Sequence, residues 1–302
     1  MGSYNVVVKG KTLELTNLEK EFWPEKGFSK GDLIKYYFEV SPWILPHLRD
    51  RPIVMKRYPD GIEGKSFYQK RCPEHAPPWL DTILVKGSEE SINYCLCNDE
   101  AALVWLINQG CIELHPWLSS VGSLSEPDFM VLDLDPSEGV VFSQVIEVAL
   151  AVKGCLDLCG LKGYPKTSGA SGIHIYIPLK RGYSYAEVRE AAKIIAELVC
   201  AQLPTLATIE RTVRNRAGKV YVDYLQNGEG KTIASVYSVR PVPAASVSMP
   251  LLWEEIETGG IMPAMFTIES VRQRLEEKDD IFSPVLEEKY SLNRLLKEKG
   301  TY

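Results

Sequence analysis

The chain has 302 residues, 45% hydrophobic and 25% charged, the proportions of an ordinary globular protein. Its 34 basic and 40 acidic side chains give a net charge of −6, which excludes a protein coated in positive charge for nonspecific nucleic-acid binding. No run of about 18 apolar residues and no signal-type apolar core is present, so no membrane span is expected, and seven scattered cysteines point to a reducing, cytoplasmic setting. Alternation over residues 4–15 predicts a hairpin turning at Lys9-Gly10-Lys11. Ser29 predicts the N-cap of a helix from about Lys30 to His47, with Leu33, Ile34, Tyr37 and Phe38 at helical spacing. Strands follow at PIVMKRY, SFYQKR, DTILV and INYCLC. Asp99 caps a helix, EAALVWLINQ, that stops at Gly110, and CIELH is the next strand. From residue 128 the order is strand (FMVLDLD), helix (FSQVIEVALAVKGCLDLC), two strands (YPKTSG and GIHIYIPL) and a long helix (SYAEVREAAKIIAELVCAQL). KVYVDYLQ and TIASVYS read as strands paired about Asn227-Gly228. Beyond about residue 250 the pattern is helical, in LLWEEIE, TIESVRQRLEEK and VLEEKYSLNRLLKEK. These elements predict an α+β fold of mixed and antiparallel sheets flanked by helices. A single domain over 1–302 is expected, in three consecutive parts: 1–120, a catalytic sheet over 121–249, and a helical part over 250–302.

The most informative stretch is VLDLDPSEG. In a strand, residues i and i+2 share a face, so Asp133 and Asp135 lie side by side. Two adjacent carboxylates repel and lose hydration, and something positive must compensate them. A third acid, Asp223, interrupts the apolar strand VYVDYL. Three strand carboxylates suit a site for Mg²⁺ or Mn²⁺, and two such ions about 4 Å apart activate a 3′-hydroxyl and stabilise a leaving pyrophosphate. Two other readings stay open: a salt bridge to a neighbouring arginine, and a dehalogenase-like phosphatase with Asp133 as nucleophile. The phosphatase motif usually starts its fold, whereas this one lies at mid-chain without a later strand-end Asp-Asp pair. In TSGASGIH, small residues let backbone N–H groups approach phosphate oxygens, and His174 begins the next strand. His115 closes the strand CIELH, where it could meet a metal or a triphosphate. Cys72, His75, Cys95 and Cys97 are a possible zinc set. Neither pair has a strong zinc spacing, and Cys95 and Cys97 lie in a strand-like run where cysteine serves as a small apolar residue. Two segments, RPIVMKRYPDGIEGKSFYQKR and ERTVRNRAGKVYVDYLQNGEGK, are basic with interleaved aromatics.

Taken together and in order, MKRYPDGIEGKSFYQKR, FMVLDLDPSEG, KTSGASGIHIYIPL and KVYVDYLQN resemble the polymerase domain of bacterial and archaeal ligase D, of the archaeo-eukaryotic primase superfamily. The resemblance runs from LTNLEKEFWPEKGFSKGDLIKYY to PLLWEEI. It implies a primase-polymerase-like fold and template-directed nucleotidyl transfer that fills gaps at double-strand breaks in non-homologous end joining, with a preference for ribonucleotides and Mn²⁺. By resemblance, Asp133, Asp135 and Asp223 bind two metal ions. Ser168, Ser171, Gly172 and His174 hold the incoming triphosphate, with His115, Lys56 and Arg240 beside it. Phe67 falls on the template side, and Lys20 and Lys30 bind the 5′-phosphate of the downstream strand. The basic loop Arg211, Arg214 and Arg216 is expected on DNA phosphates. The family often has Lys-Gly where this chain has Ser171-Gly172, which removes a cation from the triphosphate pocket. No K-x-D-G adenylation motif is present, so a DNA ligase and the end-binding protein Ku are expected as separate chains. A primase that starts strands without a primer and an end-bridging module are the rival readings.

Overall fold

The computed structural model describes residues 2–87 and 90–297, and the last residues of the helix predicted for the C-terminus, 298 and 299, lie outside them. The chain folds into two compact units, and each draws on three stretches of chain. The first comprises Met1–Val121, Thr232–Ser248 and Phe266–Asp279, the second Gly122–Lys231, Met249–Met265 and Asp280–Tyr302. This division differs from three consecutive parts, because residues 232–248 leave the catalytic sheet and join the first unit.

The first unit begins with the hairpin of β1 (Ser3–Val8) and β2 (Lys11–Thr16) and the short pair β3 (Glu21–Trp23) and β4 (Phe28–Ser29). The expected helix after Ser29 is two helices, α1 (Lys30–Glu39) and α2 (Ser41–Leu48). Ser29 does cap α1: its hydroxyl accepts from the Asp32 amide, and the Asp32 carboxylate accepts from the Ser29 amide. The break falls at Val40, because Pro42 lacks the N–H that would continue α1 and is tolerated only in a first helical turn. A sheet follows, formed by β5 (Pro52–Arg57), β6 (Phe67–Gln69), β7 (Thr82–Lys86), β8 (Ser91–Leu96) and, after helix α3 (Glu100–Asn108), β9 (Cys111–Pro116). Strand β5 is central, antiparallel to β6, β8 and β9.

The second unit is a five-stranded sheet in the order β11-β12-β10-β14-β13, from β10 (Phe129–Pro136), β11 (Tyr164–Thr167), β12 (Ile173–Pro178), β13 (Ala207–Thr208) and β14 (Val220–Asp223). Helices α4 (Phe142–Leu158) and α5 (Tyr185–Gln202) cover one face. Met130, Leu132 and Leu134 of β10, Ile173, Ile175 and Ile177 of β12, and Val220 and Val222 of β14 are buried in that core. The intervening residues, including Asp133, Asp135, His174 and Asp223, therefore share the opposite face. Further helices follow: α6 (Trp253–Thr258) in the second unit, α7 (Val271–Lys278) in the first, and α8 (Pro284–Glu287) in the second. The last predicted helix is interrupted after α8. Tyr290 is extended and bonds through its amide to the Pro178 carbonyl, and only then does α9 (Asn293–Lys297) form. Among the described residues, no helix is long and apolar enough to cross a membrane.

The predicted hairpin about Asn227-Gly228 does not form. Residues 232–238 instead bond to the first unit: the Ser235 amide donates to Leu114 O and the Leu114 amide to Ser238 Oγ. Tyr237, buried among them, has φ +62°, which no regular strand allows. Asn227 serves another purpose. Its side-chain amide accepts from Val131 N–H at 2.8 Å and donates to Val131 C=O at 2.7 Å. It thus continues the ladder on β10 where β14, paired only with Asp133 to Pro136, has ended. Asn227→Ala would orphan both Val131 groups in the core. Each such loss costs about 1–3 kcal/mol, so denaturant unfolding is expected to show a destabilisation of about 2–4 kcal/mol with an unchanged m-value.

Candidate active site

The sheet face opposite α4 and α5 carries the acids. Antiparallel register puts Asp133 opposite His174 on β12 and opposite Asp223 on β14, and it puts Lys166 of β11 opposite His174. The four residues make a row across the sheet. Lys166, fully buried, places Nζ 2.8 Å from His174 Nδ1, and His174 Nε2 lies 3.3 Å from Asp133 Oδ1. An ammonium group only donates, so Nδ1 is the acceptor and the imidazole proton sits on Nε2, aimed at the carboxylate. Asp223 Oδ1 accepts from the Tyr221 hydroxyl at 3.1 Å and the Leu225 amide at 2.8 Å.

These carboxylates are the hard oxygen donors that Mg²⁺ or Mn²⁺ takes, and all three share one face. Their side chains do not yet converge: among the described residues, no three His, Cys, Asp or Glu side chains form a cation site. The donor chemistry and the shared face suit a divalent cation, although the side chains as placed do not form a three-ligand set.

The turn before β12 differs from the expected phosphate cradle. The amides of Ala170 and Gly172 point inward to Ser168 Oγ, at 3.1 and 2.9 Å, so the Ser168 hydroxyl closes its own turn. Ser171 is exposed. Gly172 is required by packing, since a Cβ there would lie 2.3 Å from the Leu134 carbonyl oxygen of β10. The turn is thereby pressed against the strand one residue before Asp135. In the basic loop, Arg211 and Arg214 are exposed. Arg216 is bound to its own loop through the carbonyls of Glu210 and Arg211 and stacks 3.9 Å from the Tyr221 ring centroid.

Lys56, His115 and Arg240 come together in the first unit, around a residue the sequence reading passed over. Glu113 of β9 is the cross-strand partner of Lys56, and its carboxylate is 1% exposed. Oε1 lies 3.2 Å from Lys56 Nζ and 3.4 Å from the Tyr58 hydroxyl, while Oε2 lies 3.0 Å from His115 Nε2 and 3.1 Å from Arg240 Nε. Burial alone would raise the pKa of this carboxyl, but His115, Arg240 and Lys56 hold it down at about 2. Burial lowers that of His115, so a neutral ring donates its Nε2–H to the carboxylate. Tyr68, opposite Lys56 on β6, sets its ring edge-on to His115 with centroids 5.7 Å apart. Phe67 is 45% exposed, beside the guanidinium of Arg57.

Lys20 and Lys30 line a separate cavity of about 200 Å³ in the same unit, with Thr16, Arg57, Asn108 and Gln109. Lys20 is paired with Asp60. The buried Lys30 ammonium donates to Thr16 O at 2.6 Å, Thr16 Oγ1 at 3.3 Å and Asn108 Oδ1 at 2.8 Å. All three of its protons are engaged, so it acts on an anion chiefly as a fixed charge at the base of the cavity. Burial, with Lys20 and Arg57 nearby, brings its pKa down to about 8. The possible zinc set does not assemble. Cys72 and Cys95 touch each other, but His75 turns to Gln109 and to the Trp105 ring.

Lys166, Glu113, Asn108 and Arg57 were therefore missed. Glu113 carries the signal that singled out Asp223, an acid inside an apolar strand, and Lys166 is its cationic counterpart in YPKT. Asn108 and Arg57 carry no such signal, since polar side chains at a helix end and a strand end are ordinary.

Residues 29–282 match the family model described as "LigD, primase-polymerase domain". The chain is 38% identical over 267 residues to the bifunctional non-homologous end joining protein LigD of Bacillus subtilis, covering 88% of this chain and 43% of that protein. To the multifunctional LigD of Mycolicibacterium smegmatis it is 32% identical over 275 residues, covering 90% and 36%. It thus spans less than half the length of these curated relatives. The solved polymerase domain of Mycobacterium tuberculosis ligase D, in complex with DNA, superposes with a TM-score of 0.85 at 31% identity, covering 92% of this chain and 99% of that one. The fold, the ordered strand acids and these similarities agree, and the chain belongs to the LigD primase-polymerase domain family of nucleotidyltransferases.

Proposed function

We propose that this chain is a metal-dependent, template-directed polymerase that fills gaps at DNA double-strand breaks in non-homologous end joining, with a preference for ribonucleotides. The single observation that carries this reading is the row Lys166–His174–Asp133–Asp223 across the sheet face opposite the helices. Its proposed substrates and partners are DNA ends with a 5′-phosphate, nucleoside triphosphates, Ku and a DNA ligase, in the cytoplasm on the nucleoid.

Asp133, Asp135 and Asp223 would hold the divalent cations, Mn²⁺ or Mg²⁺ and two in number. Such ions lower the pKa of a primer 3′-hydroxyl and neutralise charge on the triphosphate. The Nε2–H of His174, on the acidic face beside Asp133, donates to a triphosphate oxygen. Lys166 keeps the ring in that tautomer, and it supplies a cation in a family position set where Ser171 does not. Ser168 and Gly172 fix the turn, and Ser171 offers its hydroxyl. Lys56 and Arg240 bind the triphosphate through their cationic groups, with His115 beside it. The exposed ring of Phe67 stacks on a template base, which is worth about 1–3 kcal/mol without reading sequence. Lys20 and Lys30 receive the 5′-phosphate of the downstream strand, and Arg211, Arg214 and Arg216 contact DNA phosphates.

Extension of a gapped duplex with a 5′-phosphorylated downstream strand, using Mn²⁺ and ribonucleotides, tests the reading. Wild type is expected to extend the primer, chelation to stop it, and Asp133→Ala with Asp135→Ala to lower the rate by about a thousandfold or more. No extension by wild type would remove the polymerase reading. Product made on single-stranded template without a primer would favour a primase, and synapsis of two ends by the aspartate variant would favour a bridging module.

Lys30 gives the phosphate cavity a pH signature. Its folded pKa of about 8 lies below the ordinary lysine value, so the charge is complete at pH 7 and disappears as pH rises through 8. Affinity for a 5′-phosphorylated end is expected to fall by up to about tenfold per pH unit above 8, until the pKa of the phosphate-bound form is reached. In fluorescence anisotropy a 5′-hydroxyl end should bind weakly and without that slope, and Lys30→Arg should flatten it.

A further inference from the structure

We propose that Glu113 is a positioning residue for nucleotide binding: it ties Lys56, His115 and Arg240 into one array and so presents their groups to the triphosphate as a unit. The inference rests on the nucleotide-binding role proposed above for those three residues, and it assigns to Glu113 a role that none of them has.

Four polar groups surround the Glu113 carboxylate: the Tyr58 hydroxyl and His115 Nε2 are hydrogen-bonded to Oε1 and Oε2, and the charges of Lys56 and Arg240 form ion pairs with the same two oxygens. The three groups reach it by different routes. Lys56 is opposite it on β5, His115 is two residues along its own strand on the same face, and Arg240 arrives from the 232–248 stretch. The carboxylate is 1% exposed. Without it, the ammonium of Lys56 and the guanidinium of Arg240 would repel each other in a partly buried setting. Both are long side chains that would regain rotamer freedom and point toward water. Held on one carboxylate, they are ordered before any ligand arrives, and an ordered set of donors binds at a smaller entropic cost.

A plain counter-ion role predicts the opposite outcome. If Glu113 only neutralised buried positive charge, Glu113→Gln would leave the group one charge more positive and bind a triphosphate more tightly. If Glu113 positions the group, the same substitution weakens binding despite the added positive charge, because an amide has no charge to hold two cations and one acceptor oxygen in place of two.

The experiment measures ATP binding to the full chain by calorimetry, for wild type, Glu113→Gln and Glu113→Asp. Primer-extension kcat and KM, affinity for a 5′-phosphorylated duplex end, and thermal melting are followed alongside. The expected result for Glu113→Gln is a rise of about tenfold or more in Kd and KM for the nucleotide. Its kcat should stay within about threefold, and its affinity for the 5′-phosphorylated end should not change. Glu113→Asp, which keeps the charge, should recover part of the loss. A folded Glu113→Gln that binds ATP as well as wild type, or better, would overturn the proposal. If Glu113→Gln does not fold, Glu113→Asp decides: an intact protein with wild-type Kd overturns the proposal, and one with raised Kd and unchanged DNA affinity supports it. Wild-type protein that binds the DNA end but no ATP would remove the nucleotide role of the array, and the positioning role with it.

Discussion

The second unit is organised by the cost of placing carboxylates on a strand whose other face is sealed by two helices. Strand β10 buries Met130, Leu132 and Leu134 against α4 and α5, and this fixes which side Asp133 and Asp135 must take. A slip of one residue would bury the acids and expose the core, so register is strongly specified. The neighbours are tuned to that register. β12 brings His174 to Asp133, β11 brings Lys166 to His174, β14 brings Asp223, and Gly172 lets the preceding turn approach the Leu134 carbonyl. Even Asn227, outside any strand, completes the ladder two residues from Asp133.

The first unit solves the inverse problem. Its functional groups are mostly cations, and each concentration of positive charge is built around neutral or negative acceptors. Lys56 and Arg240 share Glu113, while Lys30 is held by a backbone carbonyl, a hydroxyl and an amide oxygen. The two solutions have opposite effects on protonation. Although burial works against it, the Tyr58 hydroxyl and the Glu113 carboxylate hold the Lys56 pKa above the ordinary lysine value. The neutral acceptors leave Lys30 close to losing its proton near pH 8. Two lysines in one unit thus differ because of what accepts from them.

Much of this was legible in the sequence. Period-two alternation located β10, β12 and β14 and put the three aspartates on strands, and caps at Ser29 and Asp99 marked helix starts. The misreadings are local rules overridden by tertiary bonding. TIASVYS has the composition of a strand, but its amides and hydroxyls are taken by β9, and Tyr237 adopts a left-handed backbone. Asn227-Gly228 has the composition of a turn, but the side-chain amide is needed by β10. The apolar spacing of α1 continues past Val40, where Pro42 ends it. Side-chain convergence is the least legible layer. Nothing in the order of residues says that Arg240 meets Glu113, or that the amides after Ser168 point inward, because both follow from packing between segments remote in sequence.

The interleaving of the two units has a consequence for how the protein is made. The hydroxyls of Tyr36 and Tyr37, buried in the first unit, find the Tyr237 carbonyl and the Ser238 hydroxyl 201 residues later. A ribosome delivering this chain from its N-terminus releases the whole Gly122–Lys231 stretch, with every aspartate of the acidic face, before the stretch that carries Tyr237, Ser238 and Arg240. The acidic sheet can close while the first unit still waits for its last interior partners. Until then the Tyr36 hydroxyl lacks its Tyr237 carbonyl, so the unit that starts the chain is the one that waits longest for its interior.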